Sequence, residues 1–415
     1  MDYEINDITL AEDGKARIEW AERFMPVIQS IRRRFLLKKP LRGIRIAADI
    51  DITAESAVFM RTLTAGGAHV MVVRADNAHT IQDDTAASLV KHYKIPVFAL
   101  HKNATHADYT HIHKVLDTKP NIIIDSGSGL TTFIHKSRKD ILEYITGGVE
   151  ETTTGVRRAR AMEYAHALKY PVIAINDSRT KYIFDNKHGT GQAAIDGILR
   201  ATNILFAGAI VVIAGYGWCG RGFAQCARGF GAHVIITETN PITALEAHAD
   251  GFEVLPMMDA VKKGTVFITA TGNKHVLTAD HFRKMKNGAI IGNIGHSDVE
   301  IDIPALQKIT KNTRQMRRNV IQYSLGTRKL YVIGNGQILN QIAAEGHPAA
   351  VMDISFANQA FSIEYLKRYA SKLERKVYSV PVDIDENIAL MKLNACGVAI
   401  DAVTRVQKKY LADWQ

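Results

Sequence analysis

Short apolar runs alternate along the chain with longer segments whose apolar residues recur every three or four positions. Ile44-Arg45-Ile46-Ala47-Ala48, His69–Val73, Val97–Leu100 and Asn121–Asp125 have the length and composition of buried strands. Glu55–Ala65 and Gln82–Tyr93 between them carry a helical period. Residues 14–36 set Ile18, Ala21, Phe24, Met25 and Ile28 on one helical side. Strands spaced by helices predict βαβ units and a mostly parallel sheet. Such sheets bind ligands at the carboxyl ends of their strands, which selects Asp51, Thr53, Asp76, Asn77, Asp125 and Ser126.

A second alternation begins near residue 205. The apolar strand Ala209–Ala214 runs into Gly215-Tyr216-Gly217-Trp218-Cys219-Gly220-Arg221-Gly222, then a helix over Phe223–Phe230, then the strand His233–Thr237 ending at Glu238. Strand, G-x-G-x-x-G, helix, strand and acidic residue form the dinucleotide fingerprint in its full context. Gly215 permits the tight turn, Gly217 the approach of a pyrophosphate, and Gly220 close packing of helix on strand. Glu238 can accept from a ribose diol and would repel a 2′-phosphate, so the expected cofactor is NAD. Further strands at Val266–Thr269, Ala289–Gly292 and Leu330–Ile333 complete this unit. The expected fold is α/β with two doubly wound domains. Residues 1–185, completed by 347–380, form a substrate-binding domain; residues 190–345 form an inserted Rossmann domain; residues 381–415 form a short C-terminal tail. Two crossovers, near 181–190 and 341–348, would act as a hinge beside an interdomain cleft.

Composition narrows the function. With 415 residues, 47% hydrophobic and 23% charged, the chain is globular and long enough for two or three domains. Its longest apolar stretches, such as Ile204–Ala214, are too short for a membrane helix. The acidic start, Met1-Asp2-Tyr3-Glu4, is unlike a signal peptide. Cys219, Cys226 and Cys396 fit free thiols in a reducing compartment, so the expected location is the cytoplasm. The surplus of 52 Lys+Arg over 42 Asp+Glu is densest from Arg32 to Arg45. Phe35 is the only aromatic there, which argues for a solvated helix end rather than a nucleic-acid surface. His101, His106, His111 and His113 lack a carboxylate or thiolate pattern that would complete a metal site, and no metal is expected.

Candidate chemistry lies in polar stretches between the strands. Glu150-Glu151-Thr152-Thr153-Thr154-Gly155 sets carboxylates beside three hydroxyls. Lys181 stands four residues before Asp185, one helical turn away, and Asn293-Ile294-Gly295-His296 ends a Rossmann strand. Each has a plain alternative: Lys181–Asp185 as an ordinary helix pair, Glu151 as a helix cap. Beside an NAD site, a lysine of lowered pKa among carboxylates can instead serve as the base for a hydroxyl proton.

The strings Glu150–Gly155, Asn176–Asn186, Gly215–Gly222, Thr237–Pro241, Asn293–Glu300 and Gly346-His347-Pro348 resemble the S-adenosyl-L-homocysteine hydrolase family, in order, from about Ile44 to the end. The resemblance implies a homotetramer, with a homodimer as the alternative, acting on a small nucleoside, with no nucleic-acid or membrane partner. It implies bound NAD that is regenerated each cycle: the 3′-hydroxyl is oxidised, the C4′ proton leaves, the 5′-thiol is eliminated, water adds, and the ketone is reduced again. It assigns Lys181 as the 3′-hydroxyl base, Glu151 and Asp185 as carboxylates holding the ribose, and Asn186 beside them. Thr53 and Glu55 match adenine contacts, His296 and His347 lie around the nicotinamide and cleft, and Ser126 and Met352 join the substrate contacts. Thr152, Thr153, Thr154, Glu238, Thr243, Ile294, Gly295 and Asn340 join the glycine turn (Gly215 through Gly222, with Trp218, Cys219 and Arg221) as cofactor contacts. Three residues depart from the family pattern. Asp51 stands where histidine is usual and is taken as its stand-in, Ser126 replaces an aspartate, and Thr190 a cysteine. The first two replaced groups are those credited with proton traffic at C4′ and the leaving group. Two alternatives follow: nucleoside 3′-oxidation with elimination of another 5′ group or epimerisation, or a catalytically weak regulatory protein.

Overall fold

The computed structural model describes residues 2–74, 80–100, 109–296 and 298–414. Asp76, Asn77, His101 and His106 lie outside the described residues. Six strands open the chain: β1 (Arg45–Asp49), β2 (His69–Val73), β3 (Val97–Phe98), β4 (Ile122–Asp125), β5 (Gly147–Glu150) and β6 (Val172–Ala174). Eight follow: β7 (Ile210–Ala214), β8 (His233–Thr237), β9 (Glu253–Val254), β10 (Val266–Thr269), β11 (Ile290–Asn293), β12 (Asn312–Arg317), β13 (Val320–Leu325) and β14 (Arg328–Ile333). The last, β15 (Val377–Ser379), returns to the first group.

The strands form two sheets, ordered β15-β6-β5-β4-β1-β2-β3 and β12-β13-β14-β11-β10-β7-β8-β9. The first is parallel throughout; in the second only β12–β13 and β13–β14 are antiparallel. Parallel strands are buried on both faces, and the strand pleat divides their apolar residues accordingly. Ile46 and Ala48 enter one core while Ala47 enters the core on the other side. Val211 and Ile213 are split from Val212 in the same way.

The apolar period over 14–36 is interrupted. Helices Ala11–Glu22 and Pro26–Lys38 flank a break, with Pro26 starting the second, where its missing N–H costs nothing. The break turns Phe24 outward, whereas Ile18, Ala21, Met25 and Ile28 are buried. The helix of the glycine turn starts at Trp218, inside the motif, and runs to Gly229. The basic cluster is partly neutralised within the molecule: Arg32 and Arg61 pair with Glu22, and Arg34 with Glu364.

Two of the helices that follow the second sheet pack on the first core. Ala349–Tyr369 buries Ile354, Phe356, Ala357, Ala360, Ile363 and Leu366 in the first core, with Phe356 stacked on Phe59 at 4.8 Å. Val382–Ala395 adds Ile388 to that core. Residues 397–414 are exposed throughout. Among the described residues, no helix is long and apolar enough to cross a membrane.

Candidate active site

The carboxyl ends of both sheets face one cleft of ≈ 1000 Å³. The first sheet and its loops contribute Asp51, Thr53, Glu55, Ser126 and Glu151, and the second contributes Gly217, Ile294, Gly295 and His296. Lys181, Asp185 and Asn186 reach it from the crossover, and Asn340, His347 and Met352 from the return crossover.

The crossover owes its geometry to a π-helix. Arg179–Lys181 makes one α-helical turn, then Tyr182–Gly189 continues as a π-helix into Thr190–Thr202. π-Segments widen the turn and often mark functional sites. Lys181 Nζ lies 2.6 Å from Asn186 Oδ1 and 3.2 Å from Asp185 Oδ2, with both side chains of the ion pair about 5% exposed. Asn186 Nδ2 donates to Asn176 Oδ1 at 3.0 Å. Asp185 also accepts from Ser355 Oγ at 2.7 Å and lies 2.6 Å from His347 Nδ1. Burial alone would raise the Asp185 carboxyl, but Lys181 and His347 hold it well below the usual range. Asp185 therefore fixes the proton of His347 on Nδ1, and Nε2 accepts from Asn340 Nδ2 at 3.1 Å. Thr190 Oγ1, at the position where the resemblance led us to expect a cysteine, stands 3.3 Å from the same nitrogen.

Glu151 is not a helix cap. Thr152 caps the helix Thr153–Tyr164, accepting from Gly155 N at 3.0 Å. Among the described residues the Glu151 carboxyl has no hydrogen-bond partner, and burial raises it to about 7 against the opposing field of Lys181. Its neighbour Glu150 is a framework residue, accepting from Gly127 N, Ser128 N, Ser128 Oγ, Thr152 N and Thr152 Oγ1. Burial and that carboxylate push Asp125 upward. Asp125 thus serves the scaffold, while Ser126 faces the cleft.

At the other side Asp51 pairs with Arg74 Nη2 at 2.6 Å and accepts from Gln341 Nε2 across the cleft. Arg74, 4% exposed, also lies 3.2 Å from Asp49. Burial, reinforced by the Arg74 charge, lowers His296 to about 4, so its imidazole is neutral at pH 7. Arg74 and Gln341 escaped the sequence reading. Arg74 directly follows β2, where the carboxyl-end rule pointed only two residues further on. Thr53 caps the helix Ala54–Ala65 and Glu55 sits in its first turn, its carboxyl raised by burial.

The glycine turn fits a dinucleotide. Gly215 has φ +95°, and a Cβ on Gly220 would stand 2.0 Å from Gly215 O. A Cβ on Gly217 would meet nothing within 4 Å, leaving open space over the start of the helix. Glu238 accepts from Tyr216 N, Thr239 N and Asn240 N, which hold its carboxyl below the ordinary range although burial opposes them. It stays anionic, suited to a diol and hostile to a phosphate. Asn340 Oδ1 is buried beside the cleft without a partner among the described residues, an acceptor suited to an amide. Thr152, Thr153, Thr154, Trp218 and Cys219 line the cleft, and Trp218 stacks on Tyr182 at 4.7 Å. Gly215, Gly220 and Glu238 form the turn outside that cavity. Arg221 pairs with Glu246 at 2.7 Å and covers Trp218, Gly222 packs against Lys187 O, and Thr243 N donates to Asn240.

Residues 2–146 match the family S-adenosyl-L-homocysteine hydrolase, and residues 186–346 match its NAD binding domain. An adenosylhomocysteinase of Aquifex aeolicus is 52% identical over 100% of this chain and 99% of its own length. The chain belongs to the S-adenosyl-L-homocysteine hydrolase family. An adenosylhomocysteinase of Sulfolobus acidocaldarius and an S-inosyl-L-homocysteine hydrolase of Methanocaldococcus jannaschii are each 48% identical, again over 100% of this chain and 99% of theirs. These family relatives favour NAD-dependent hydrolysis over the two alternatives. A crystal structure of a dipicolinate synthase chain from Bacillus halodurans aligns with 80% of this chain and 99% of its own (TM-score 0.50, 15% identity), a likeness of fold alone.

Proposed function

We propose that this protein reversibly hydrolyses the thioether of homocysteine with a purine nucleoside, with NAD held in the cleft. The carrying observation is the junction of the Lys181–Asp185–Asn186–His347 cluster with a dinucleotide turn in one cleft. Residues of the glycine turn, Glu238, Asn340 and Thr152–Thr154 would hold NAD, which when bound supplies oxidation and reduction at the 3′ carbon. Lys181, anchored by Asp185 and Asn186, first gives its ammonium proton to Glu151 and then, as the free amine, takes the 3′-hydroxyl proton. Glu151, raised into the neutral range beside it, passes that proton onward. Neutral His296 and ion-paired Asp51 face the leaving group. Asp51, tied to Arg74 and Gln341, binds and orients, and the proton for the thiolate comes from Glu151 or water.

Protein loaded with NAD, given homocysteine with adenosine or inosine, should form the thioether. No product from either nucleoside at saturating NAD overturns the reading. We further place the protein in the cytoplasm as a homotetramer. Its three cysteines are unpaired, and the exposed tail presents Ile400, Val406, Tyr410, Leu411 and Trp414, which assembly would cover. Light scattering tests the assembly.

A further inference from the structure

The residue that sets the position of Lys181 comes from the far end of the chain. Asp385 lies in the first turn of the helix Val382–Ala395, 204 residues beyond Lys181, and is buried. One carboxylate oxygen lies 2.7 Å from Ser178 Oγ, accepts from Thr180 N at 3.1 Å and receives the Thr180 hydroxyl; the other accepts from Arg179 N at 2.8 Å. Four donors from three consecutive residues converge on this single carboxylate. The next residue is Lys181, whose own N–H donates to Ser178 O at 3.1 Å.

A second layer encloses the first. Asn358 donates to Thr180 Oγ1 at 2.8 Å, and its Oδ1 lies 3.0 Å from Ser178 Oγ. Asn358 shares the helix Ala349–Tyr369 with Ser355, which donates to Asp185. The turn before Lys181 and the carboxylate facing it are thus both held by the C-terminal return of the chain. A carboxylate accepting backbone N–H groups makes strong, directional bonds, and among the described residues Asp385 has no hydrogen bond to a cleft-lining side chain that would give it another task. A lysine that takes a proton must be placed to within a few tenths of an ångström, so loss of its anchor acts on chemistry more than on binding.

We infer that Asp385 is a positioning residue for Lys181, holding the Ser178–Thr180 turn so that the amine meets Asp185 and Asn186. The inference rests on the proposed role of Lys181 as the base. Another anchor on the same helix supplies the control: Lys392 Nζ lies 2.8 Å from buried Asp353, which also accepts from Val27 N and Ile28 N, and none of these bonds involves residues 178–181.

The test compares full-length Asp385→Asn and Lys392→Met proteins loaded with NAD. Asparagine must turn an NH2 toward a donor on one side, whichever way it is oriented. Asp385→Asn should lower kcat about ten-fold or more with KM within two-fold, and displace the acidic limb of the pH–rate profile. Exchange of the amides in the peptide 176–186 should accelerate. Lys392→Met should lower Tm yet keep kcat, the pH profile and that exchange. If Asp385→Asn changes Tm alone, as Lys392→Met does, Asp385 is a structural anchor and the inference fails. Should Asp385→Asn not fold, Thr180→Val, which removes one donor to the same carboxylate, must reproduce the kcat and exchange effects, and failure to do so overturns the inference. Wild-type protein that is inactive on both nucleosides would instead remove the functional reading itself.

Discussion

The two sides of the cleft are built differently. Around Lys181 every charge is closed into a buried network: Asp185 meets Lys181, His347 and Ser355, and Asn186 meets Lys181 and Asn176. Around Asp51 the network is looser and partly open, with a carboxylate 21% exposed, bridged by Arg74 on one side and by Gln341 across the cleft on the other. On the closed side the departure from the expected family pattern is the uncharged Thr190 beside His347, whereas on the open side it is the charged Asp51. A buried charge network tolerates little change, because removing one member strands another in a low dielectric. An open wall can be recut at smaller cost, so substitutions at Asp51 and at Lys181 should differ in what they disturb.

The comparison breaks first at Lys181. Lys181→Met should lower turnover about 10²–10⁴-fold, the range of a positioned base, while leaving nucleoside affinity within a few-fold. Steady-state thioether formation and nucleoside titration check it. A loss smaller than ten-fold would make Lys181 an ordinary member of the pair.

Next in size is the stability of the closed side. Asp185→Asn removes the counter-charge of Lys181 and the carboxylate acceptor of His347 Nδ1, and should cost about 3–5 kcal/mol by denaturant titration. The same group makes an acid limb. Its folded pKa lies below its unfolded value of about 3.9, so its contribution is whole above that pH and fades as pH falls below it. Wild type and variant should therefore converge in stability on acidification. Parallel curves would show that the pair contributes nothing.

Asp51→Asn tests the open side. It should leave reduction of bound coenzyme by adenosine within two-fold and slow thioether formation about ten-fold, a difference of about 1.4 kcal/mol in the later steps. Equal loss in both assays would erase the distinction between the two sides.

What could be read from residues alone follows the same division. The dinucleotide turn was legible because glycine spacing, a buried strand and Glu238 all lie within about 30 residues. The fold class was legible because parallel strands are continuous apolar runs. Arg74 and Gln341 were invisible: their meaning comes from partners 23 and 290 residues away, joined only when β1 lies beside β2 and the second crossover returns. Pro26, which splits the first helical period, carried its signal openly. The π-helix after Lys181 carried none, and Asp185 within it is held by Ser355, 170 residues further along the chain.

Glu151 gives the finest test, because it stands between the two sides. Burial raises its carboxyl to about 7 from an unfolded value near 4.3, so the uncharged form favours the folded state. That contribution is whole below the unfolded value and is lost as pH rises through about 7. Glu151→Gln keeps the shape and removes the titration, so the variant should gain on wild type across that window. The gain should be on the order of 1 kcal/mol, reduced by screening where the carboxyl opens to the cleft. The rate should respond differently. If Glu151 passes the proton from Lys181, the bend near pH 7 in kcat/KM disappears in Glu151→Gln, together with a loss of turnover. If the bend persists, the titrating group is elsewhere, and Glu151 serves only as a polar wall between the closed network and the open one.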